Sequence, residues 1–186
     1  MSVDNSTLPV QYAVPVLETP RLLMRGYRAN DFDTWIAMWQ DPAYYRYLTA
    51  EPLPREEVWR TLLRSAGHWA VMGYGFWALE EKATGQFIGT VGYLDGKRDI
   101  EPPIGGTPEM GWVIAARLHG QGYDTEAVAS AKVWGDQHFG GVRTVCLIHP
   151  DNAPSLRLAE KFGFREYVRT MYKGEPGVLL ERPGQA

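Results

Sequence analysis

Residues 110–127 read MGWVIAARLHGQGYDTEA, and this stretch decides the fold. Its first residues are mostly apolar, as in a buried strand, and its last residues open a helix. The turn between them carries two glycines, Gly120 and Gly122, which let the backbone bend tightly with its N–H groups pointing inward. Those N–H groups and the positive end of the helix dipole favour an anion, and Arg117 adds a positive charge. The stretch therefore predicts an anion site between a strand and a helix.

The same turn also fits an ordinary glycine-rich connection with an arginine on its surface. It lacks the Gly-Lys-Ser/Thr end of a Walker loop. It also lacks a full dinucleotide-binding fingerprint, because Thr125 stands where the third glycine should fall. A nucleotide-binding module is therefore disfavoured.

Helical and strand periodicities continue on both sides of this turn. The sequence predicts strands over 17–27, 75–81, 86–94, 107–116, 143–149, 165–172 and 178–182. It predicts helices that begin near Asp31 and Pro54, and further helices over 122–139 and 152–162. This order predicts one α/β domain built on a mixed sheet.

The length of 186 residues suits one domain, since a domain takes roughly 150 residues. We expect a mobile leader over 1–15, a single domain over 16–183 and a tail over 184–186. The segment 95–106, DGKRDIEPPIGG, is long and rich in proline and glycine for a link between two strands. We expect it to be mobile.

Composition excludes several classes of protein. The 19 basic and 22 acidic side chains leave a net charge of −3, which argues against a nucleic-acid partner. A single cysteine, Cys146, excludes an internal disulfide framework and a cysteine-based zinc site. The longest uncharged stretch, 65–79, is too short to span a membrane. With no secretory signal in the sequence, we expect a cytoplasmic protein without a membrane partner.

Three further stretches accompany the glycine turn. They read LETPRLLMR over 17–25, GFWAL and GQFIGTVG over 75–79 and 85–92, and HPDNAPS and EKFGF over 149–155 and 160–164. In this order and spacing, the four stretches together resemble the GNAT N-acetyltransferases, in the branch related to the ribosomal-protein N-terminal acetyltransferases. The resemblance implies a mixed, mostly antiparallel central sheet with splayed middle strands and flanking helices.

The resemblance also implies an activity. It implies transfer of an acetyl group from acetyl-CoA to a primary amine by direct attack in a ternary complex, with no metal. The acceptor is a protein N-terminus or a small amine, set by the early helices and the segment 95–106, and a homodimer is left open. The alternative from another class is a non-catalytic CoA-binding or regulatory module of the same fold.

By the same resemblance, the cofactor lies between the splayed strands. Trp112, Val113 and Ile114 supply a strand edge for pantetheine, and N–H groups around Val113 face the thioester oxygen. The phosphate cradle consists of Arg117, Leu118, His119, Gly120, Gln121, Gly122 and Tyr123. Asn152 holds pantetheine and Ser155 lies near the sulfur, although Asn152 also fits a plain helix N-cap.

The chemistry requires a neutral amine, yet a free lysine has a pKa of about 10.4 and an α-amino group about 8. Glu109 is the candidate base, directly or through water, and the alternative is an exposed carboxylate at a strand end. Many family members carry a tyrosine as general acid four residues before the helix-ending glycine, where this chain has Ala159. Ser155 or water must then protonate the sulfur. His149 is expected to belong to the core or to a wall of the cleft rather than to act as a base.

Overall fold

The computed structural model describes residues 13–184. The strands are β1 (Leu17–Glu18), β2 (Leu22–Arg25), β3 (Phe76–Glu81), β4 (Gln86–Leu94), β5 (Glu109–Ile114), β6 (Thr144–Ile148), β7 (Arg165–Tyr172) and β8 (Glu175–Arg182). The helices are α1 (Asp31–Trp39), α2 (Pro42–Tyr45), α3 (Arg55–Met72), α4 (Tyr123–His138) and α5 (Ala153–Lys161), with a 3-10 turn at Ala116–Leu118. Most of the expected leader and the last two residues lie outside the described part. Within it, the carbonyl of Pro15 accepts a hydrogen bond from Trp77 Nε1 at 2.8 Å.

The eight strands form one sheet in the order β1-β2-β3-β4-β5-β6-β8-β7. Every neighbouring pair is antiparallel except β5 and β6, which are parallel. These two strands pair only at Glu109 and Val145, and beyond that point they separate. The predicted mixed, mostly antiparallel sheet with splayed middle strands is confirmed.

Both faces of the sheet carry an apolar core. Alternate residues of β3 face opposite ways, so that Trp77 enters the core beneath α4 and Ala78 enters the core beneath α1 and α3. Edge-to-face aromatic contacts dominate the first core, where Trp77 lies 4.8 Å from Trp69 and 4.9 Å from Trp134 between ring centroids. The helices therefore cover the sheet from both sides and fix the ends of the splayed strands.

Two predicted boundaries differ near the N-terminus. The strand expected over 17–27 is two strands, because a turn forms around Pro20, with Leu22 N donating to Thr19 Oγ1 at 2.9 Å. Proline has no N–H for a ladder, and the threonine side chain offers the backbone another partner. Pro42 begins the short helix α2 rather than only ending α1, since proline is suited to the first turn of a helix.

A third boundary differs at the last hairpin. The expected turn over 173–177 is only Lys173 and Gly174, and β8 already begins at Glu175. Pro176 is tolerated in this strand because the pairing of β8 with β6 ends at Val178. Beyond Val178, β6 offers no strand partner, so the missing N–H of Pro176 leaves no acceptor of β6 unpaired.

The segment 95–106 is anchored rather than free. Ile100 and Ile104 are buried against Val145 and Leu179, and Thr170 Oγ1 donates to the carbonyl of Glu101 at 2.6 Å. The apolar cluster around these two isoleucines contains no residue of a helix among those described. The isoleucines therefore cover this part of the sheet, as a helix does elsewhere. These contacts run against the expected mobility.

A buried ion cluster joins β2, α1 and β3. Arg25 donates to both carboxylate oxygens of Asp31 at 2.7 and 2.8 Å, and its Nε donates to Glu80 at 2.7 Å. Arg25 and Asp31 are 5% and 3% exposed. The carboxylate of Asp31 also accepts the N–H of Arg28 at 2.7 Å, which fixes the entry into α1. Charges this deeply buried are tolerated only when paired.

Asp31→Ala is expected to lower the free energy of unfolding by about 3–5 kcal/mol, because it leaves the guanidinium of Arg25 buried with one partner lost. Urea denaturation measures the change. Asp33→Ala is the matched control: Asp33 lies in the same first turn, its side chain is 83% exposed, and its pair with Arg55 is 3.6 Å long. We expect less than about 0.5 kcal/mol there. Equal losses in the two variants would contradict a role for the buried cluster.

Candidate functional site

The separation of β5 and β6 leaves a cavity of about 200 Å³, which we call the wedge. Several residues from distant parts of the chain line it. From the sequence-predicted set these are Glu109, Trp112, Val113, Asn152 and Ser155. The structure thus brings the expected base, strand edge and helix start to one place.

The open edge of β5 belongs to Trp112 and Ile114 rather than to Val113. Ala115 N donates to Ile88 O of the β4 side, and Val145 N of β6 donates to Pro108 O. Backbone groups alternate in direction along a strand, so odd-numbered residues of β5 face β4 and even-numbered ones face the wedge. The N–H of Val113 is therefore directed to β4. Among the N–H groups around Val113, those of Trp112 and Ile114 lie on the side of the wedge. Trp112 and Ile114 lie beyond the single pairing with β6.

The glycine turn, residues 117–123, adopts the backbone that an anion site needs. Gly120 and Gly122 have φ of +73° and +79°, in the left-handed region. Within residues 13–184, the N–H groups of Gly120, Gly122, Tyr123 and Asp124 meet no acceptor. They lie at the N-terminus of α4, a helix of 16 residues. Free N–H groups at a helix start suit a phosphate.

The side chains of this turn differ in burial and in the groups that they contact. Leu118 is 7% exposed and belongs to the core, so it offers only backbone to a ligand. Tyr123 donates its hydroxyl to Glu81 at 2.6 Å, and a ring nitrogen of His119 bonds the carbonyl of Ile114 at 2.9 Å. Gln121 donates to the carbonyl of Arg117 at 2.8 Å. These side chains hold the turn in shape.

Two cations border the turn, and the sequence indicated only one of them. Arg117 is exposed, 4.0 Å from Glu81. Arg21, from the turn between β1 and β2, donates to the carbonyl of Gln121 at 2.9 Å and lies 4.1 Å from the ring centroid of Tyr123. Glu126 orients it through a contact of 2.6 Å. A hundred residues of chain separate Arg21 from the turn, so no local pattern could reveal it.

Glu109 is buried and held by an arginine. It is 5% exposed, and its two carboxylate oxygens accept from Arg98 Nε at 2.6 Å and Nη2 at 2.7 Å. The alternative of an exposed carboxylate at a strand end is therefore wrong. Arg98 also lies 4.8 Å from the ring centroid of Tyr172. The sequence of segment 95–106 gives no sign that Arg98 is anything other than an exposed surface side chain.

Asn152 caps α5 as expected, its Oδ1 accepting from Ser155 N at 3.3 Å. The hydroxyl of Ser155 lines the wedge and has no hydrogen-bond partner among the described residues. Ala159 is fully buried, so this part of α5 offers the wedge no hydroxyl.

Tyr47, which the sequence did not single out, brings a phenol to the wedge and lies 5.6 Å from His149 between ring centroids. His149 forms part of the wall, as expected.

Two features are absent from residues 13–184. No three side chains of histidine, cysteine, aspartate or glutamate are grouped closely enough to hold a metal ion. No helix in this range has both the length and the apolar character needed to cross a membrane.

Comparisons with known proteins agree on one family. Residues 21–165 match the family model described as an acetyltransferase (GNAT) domain. The uncharacterised protein YkkB of Bacillus subtilis is 30% identical over 173 residues, covering 89% of this chain and 94% of YkkB. A solved structure from Bordetella pertussis, described as a GNAT-family acetyltransferase, is 32% identical with a TM-score of 0.79, covering 91% of this chain and 99% of that one. The ribosomal L7/L12 α-N-protein acetyltransferase RimL shares the fold, with 14% identity, a TM-score of 0.72 and coverage of 91% and 98%.

Cys146 is expected to react slowly with a thiol reagent in the folded protein. Burial raises the pKa of its thiol, and the negative charge of Glu109 adds to the rise, so little thiolate forms at pH 8. Labelling with an aromatic disulfide reagent should be at least about 100-fold slower than in the denatured chain. Val133→Cys in a Cys146→Ala background is the exposed control, because Val133 is 57% exposed. Equal labelling rates at the two positions would contradict the buried packing of β6.

Proposed function

The chain belongs to the GNAT acetyltransferase family, and we propose that it moves an acetyl group from acetyl-CoA to a primary amine by direct attack in a ternary complex. The observation that carries this proposal is the wedge, because its open strand edge belongs to β5, the strand that the chain follows directly into the turn of free N–H groups. Two neighbours of the same fold are described as complexes with CoA or acetyl-CoA, which supports the choice of donor.

In the proposed complex, the glycine turn binds the pyrophosphate and the wedge takes the pantetheine arm. The free N–H groups of the turn supply hydrogen bonds and Arg117 supplies positive charge, while Arg21, whose charge Glu126 balances, adds a guanidinium donor at its border. The backbone of Trp112 and the N–H of Ile114, which no residue of β6 pairs, give the arm a strand edge, and the N–H groups on this edge can stabilise the oxyanion of the thioester carbonyl. Asn152 and Ser155 close the other wall.

Glu109 is the proposed base and Ser155 the proposed donor to the leaving group. Glu109, directly or through water, takes a proton from the ammonium, and the neutral nitrogen then attacks the acetyl carbon. A C–N bond forms and the C–S bond breaks. The nitrogen loses its second proton to water, and the sulfur leaves as a thiolate that the Ser155 hydroxyl hydrogen-bonds. The free hydroxyl of Ser155 and the absence of a hydroxyl at Ala159 both favour this assignment.

The acceptor belongs to the class of primary amines, either a protein N-terminus or a small molecule. A cytoplasmic location remains a prediction, and a homodimer is left open. Thiol release from acetyl-CoA with a panel of amines and peptides tests the activity. Binding of acetyl-CoA without thiol release for any amine would favour the non-catalytic CoA-binding module instead.

Gly120→Val is expected to weaken acetyl-CoA binding from the roughly micromolar range by at least about tenfold. A valine Cβ meets no protein atom within 4 Å at this position, so the loss arises from intrusion on the phosphates and from the left-handed backbone. Calorimetry measures the affinity. Gly140→Val is the matched control, because Gly140 has a similar φ of +65° and equally open space at the far end of α4. No heat of binding in the unmodified protein would overturn the proposed function.

Glu109→Gln is expected to lower kcat/KM by about 10²–10⁴-fold with acetyl-CoA affinity nearly unchanged, because an amide cannot take a proton from the amine. The loss should shrink as the pH rises, since more of the amine is already neutral. Ser155→Ala should lower kcat by less and without rescue at high pH, because a thiol with a pKa of about 8.5 is already a fair leaving group. Profiles of rate against pH distinguish the two roles.

Because Glu109 also holds Arg98, the glutamine variant leaves a guanidinium without its anionic partner. The double variant Arg98→Met with Glu109→Gln removes that unpaired charge and controls for stability. We expect it to remain as slow as Glu109→Gln alone. Recovery of the original kcat/KM in the double variant would assign Glu109 a structural role only.

A further inference from the structure

A second cavity of about 400 Å³ adjoins the wedge. The two cavities share six lining residues, which form the boundary between them: Tyr47, Leu48, Arg98, Leu147, Ile148 and His149. The rest of the second cavity is formed by the chain after α2 and by the hairpin of β7 and β8. A molecule in the second cavity therefore faces any group held in the wedge.

The outer walls of this cavity carry two cations on tyrosine rings. The guanidinium of Arg46 lies 4.8 Å from the ring centroid of Tyr47, and the ammonium of Lys173 lies 5.5 Å from that of Tyr172. Neither cation forms an ion pair with any residue in the range 13–184. Cation–π contacts hold such side chains in place without neutralising them.

The net charge of the lining is positive. Arg98 also lines the cavity, but Glu109 neutralises it. The acid among the lining residues is Glu175, so Arg46 and Lys173 leave the cavity with one excess positive charge. The whole chain has a net charge of −3, so this local sign opposes the overall one.

Lys173 occupies an unusual backbone conformation. It has φ of +52° and is followed by Gly174 with φ of +84°, in the two-residue turn between β7 and β8. Glycine, asparagine and aspartate fit the first position of such a turn better than lysine does. A non-glycine residue held in this region is a strained feature that often accompanies a functional site.

His149 adds a hydrogen-bond donor at the boundary of the two cavities. Its Nδ1 accepts the N–H of Asp151 at 3.1 Å, so the proton of the neutral ring lies on Nε2. Nε2 is therefore free to donate to an oxygen. An amine acceptor that carries an anionic oxygen meets both a donor and two unpaired cations here.

We propose that the second cavity is the acceptor site and that it selects amines that carry a carboxylate a few bonds from the amine. This inference rests on the proposed function, because the shared boundary places such an amine beside the proposed thioester site. Arg46 and Lys173 bind the carboxylate from the two outer walls, while the amine points past His149 into the wedge.

Binding of two matched pairs of amines to the protein saturated with CoA tests the inference without turnover. The peptide pair is Ala-Asp-amide and Ala-Asn-amide, and the small-molecule pair is β-alanine and its amide. Ligand-observed NMR titration gives the affinities. We expect the carboxylate member of at least one pair to bind about tenfold more tightly than its amide, with the preference weakening as salt is added. Whichever pair shows the preference identifies a peptide or a small acceptor.

Arg46→Gln and Lys173→Asn should each reduce that preference about fivefold, and asparagine still fits the left-handed turn. Arg64→Gln is the control, because Arg64 is exposed on α3 and lines neither cavity. Equal affinities within both pairs, no binding of any of the four compounds, or a preference untouched by both substitutions would overturn the inference. Failure of CoA itself to bind is a separate result, which overturns the proposed function.

Discussion

The single pairing between β5 and β6 is the constraint on which the rest of the structure depends. The two strands meet at Glu109 and Val145 and then diverge, although each is fully paired on its other side. Buried backbone groups without partners are costly, so a sheet interrupted in this way is stable only if something else satisfies the exposed edge. The geometry thus leaves room for a ligand that can pair as a strand does. It also leaves the even-numbered residues of β5, rather than Val113, to receive it.

The point of divergence is reinforced by charge and by packing. Arg98 binds both carboxylate oxygens of Glu109, and the segment that carries Arg98 is fixed by Ile100 and Ile104 on the core of β6 and β8. A buried carboxylate with this partner is a structural anchor, and it also lines the wedge. The same segment, although rich in proline and glycine, is thus held against the sheet by apolar contacts and by an ion pair. A kinetic test of Glu109 must therefore control for the ion pair.

The two cavities divide the proposed reaction between different parts of the fold. The wedge is built from β5, β6 and the start of α5, and the free N–H groups of the glycine turn are set apart at the start of α4. The second cavity is built from the chain after α2 and the last hairpin, elements that do not contribute to the glycine turn. In the proposed reaction, pyrophosphate binding and acceptor choice therefore depend on different elements of the fold. The lining of the second cavity has a local excess of positive charge although the overall charge is −3, so the net charge of the chain does not describe this cavity.

The sequence by itself determined features that neighbouring residues specify. These include the periodicity of most helices and strands, the left-handed glycines at 120 and 122, the Asn152 cap and the family resemblance that implied a splayed sheet. The element boundaries differ from the sequence prediction where the surrounding structure accommodates a proline, as in the first turn of α2 at Pro42 and in β8 at Pro176. Only the tertiary structure decided the pairing of Arg98 with Glu109, the approach of Arg21 to the glycine turn and the meeting of Tyr47 with His149. Each of these contacts joins separate elements, so it depends on the packing of the whole sheet rather than on any pattern in adjacent residues.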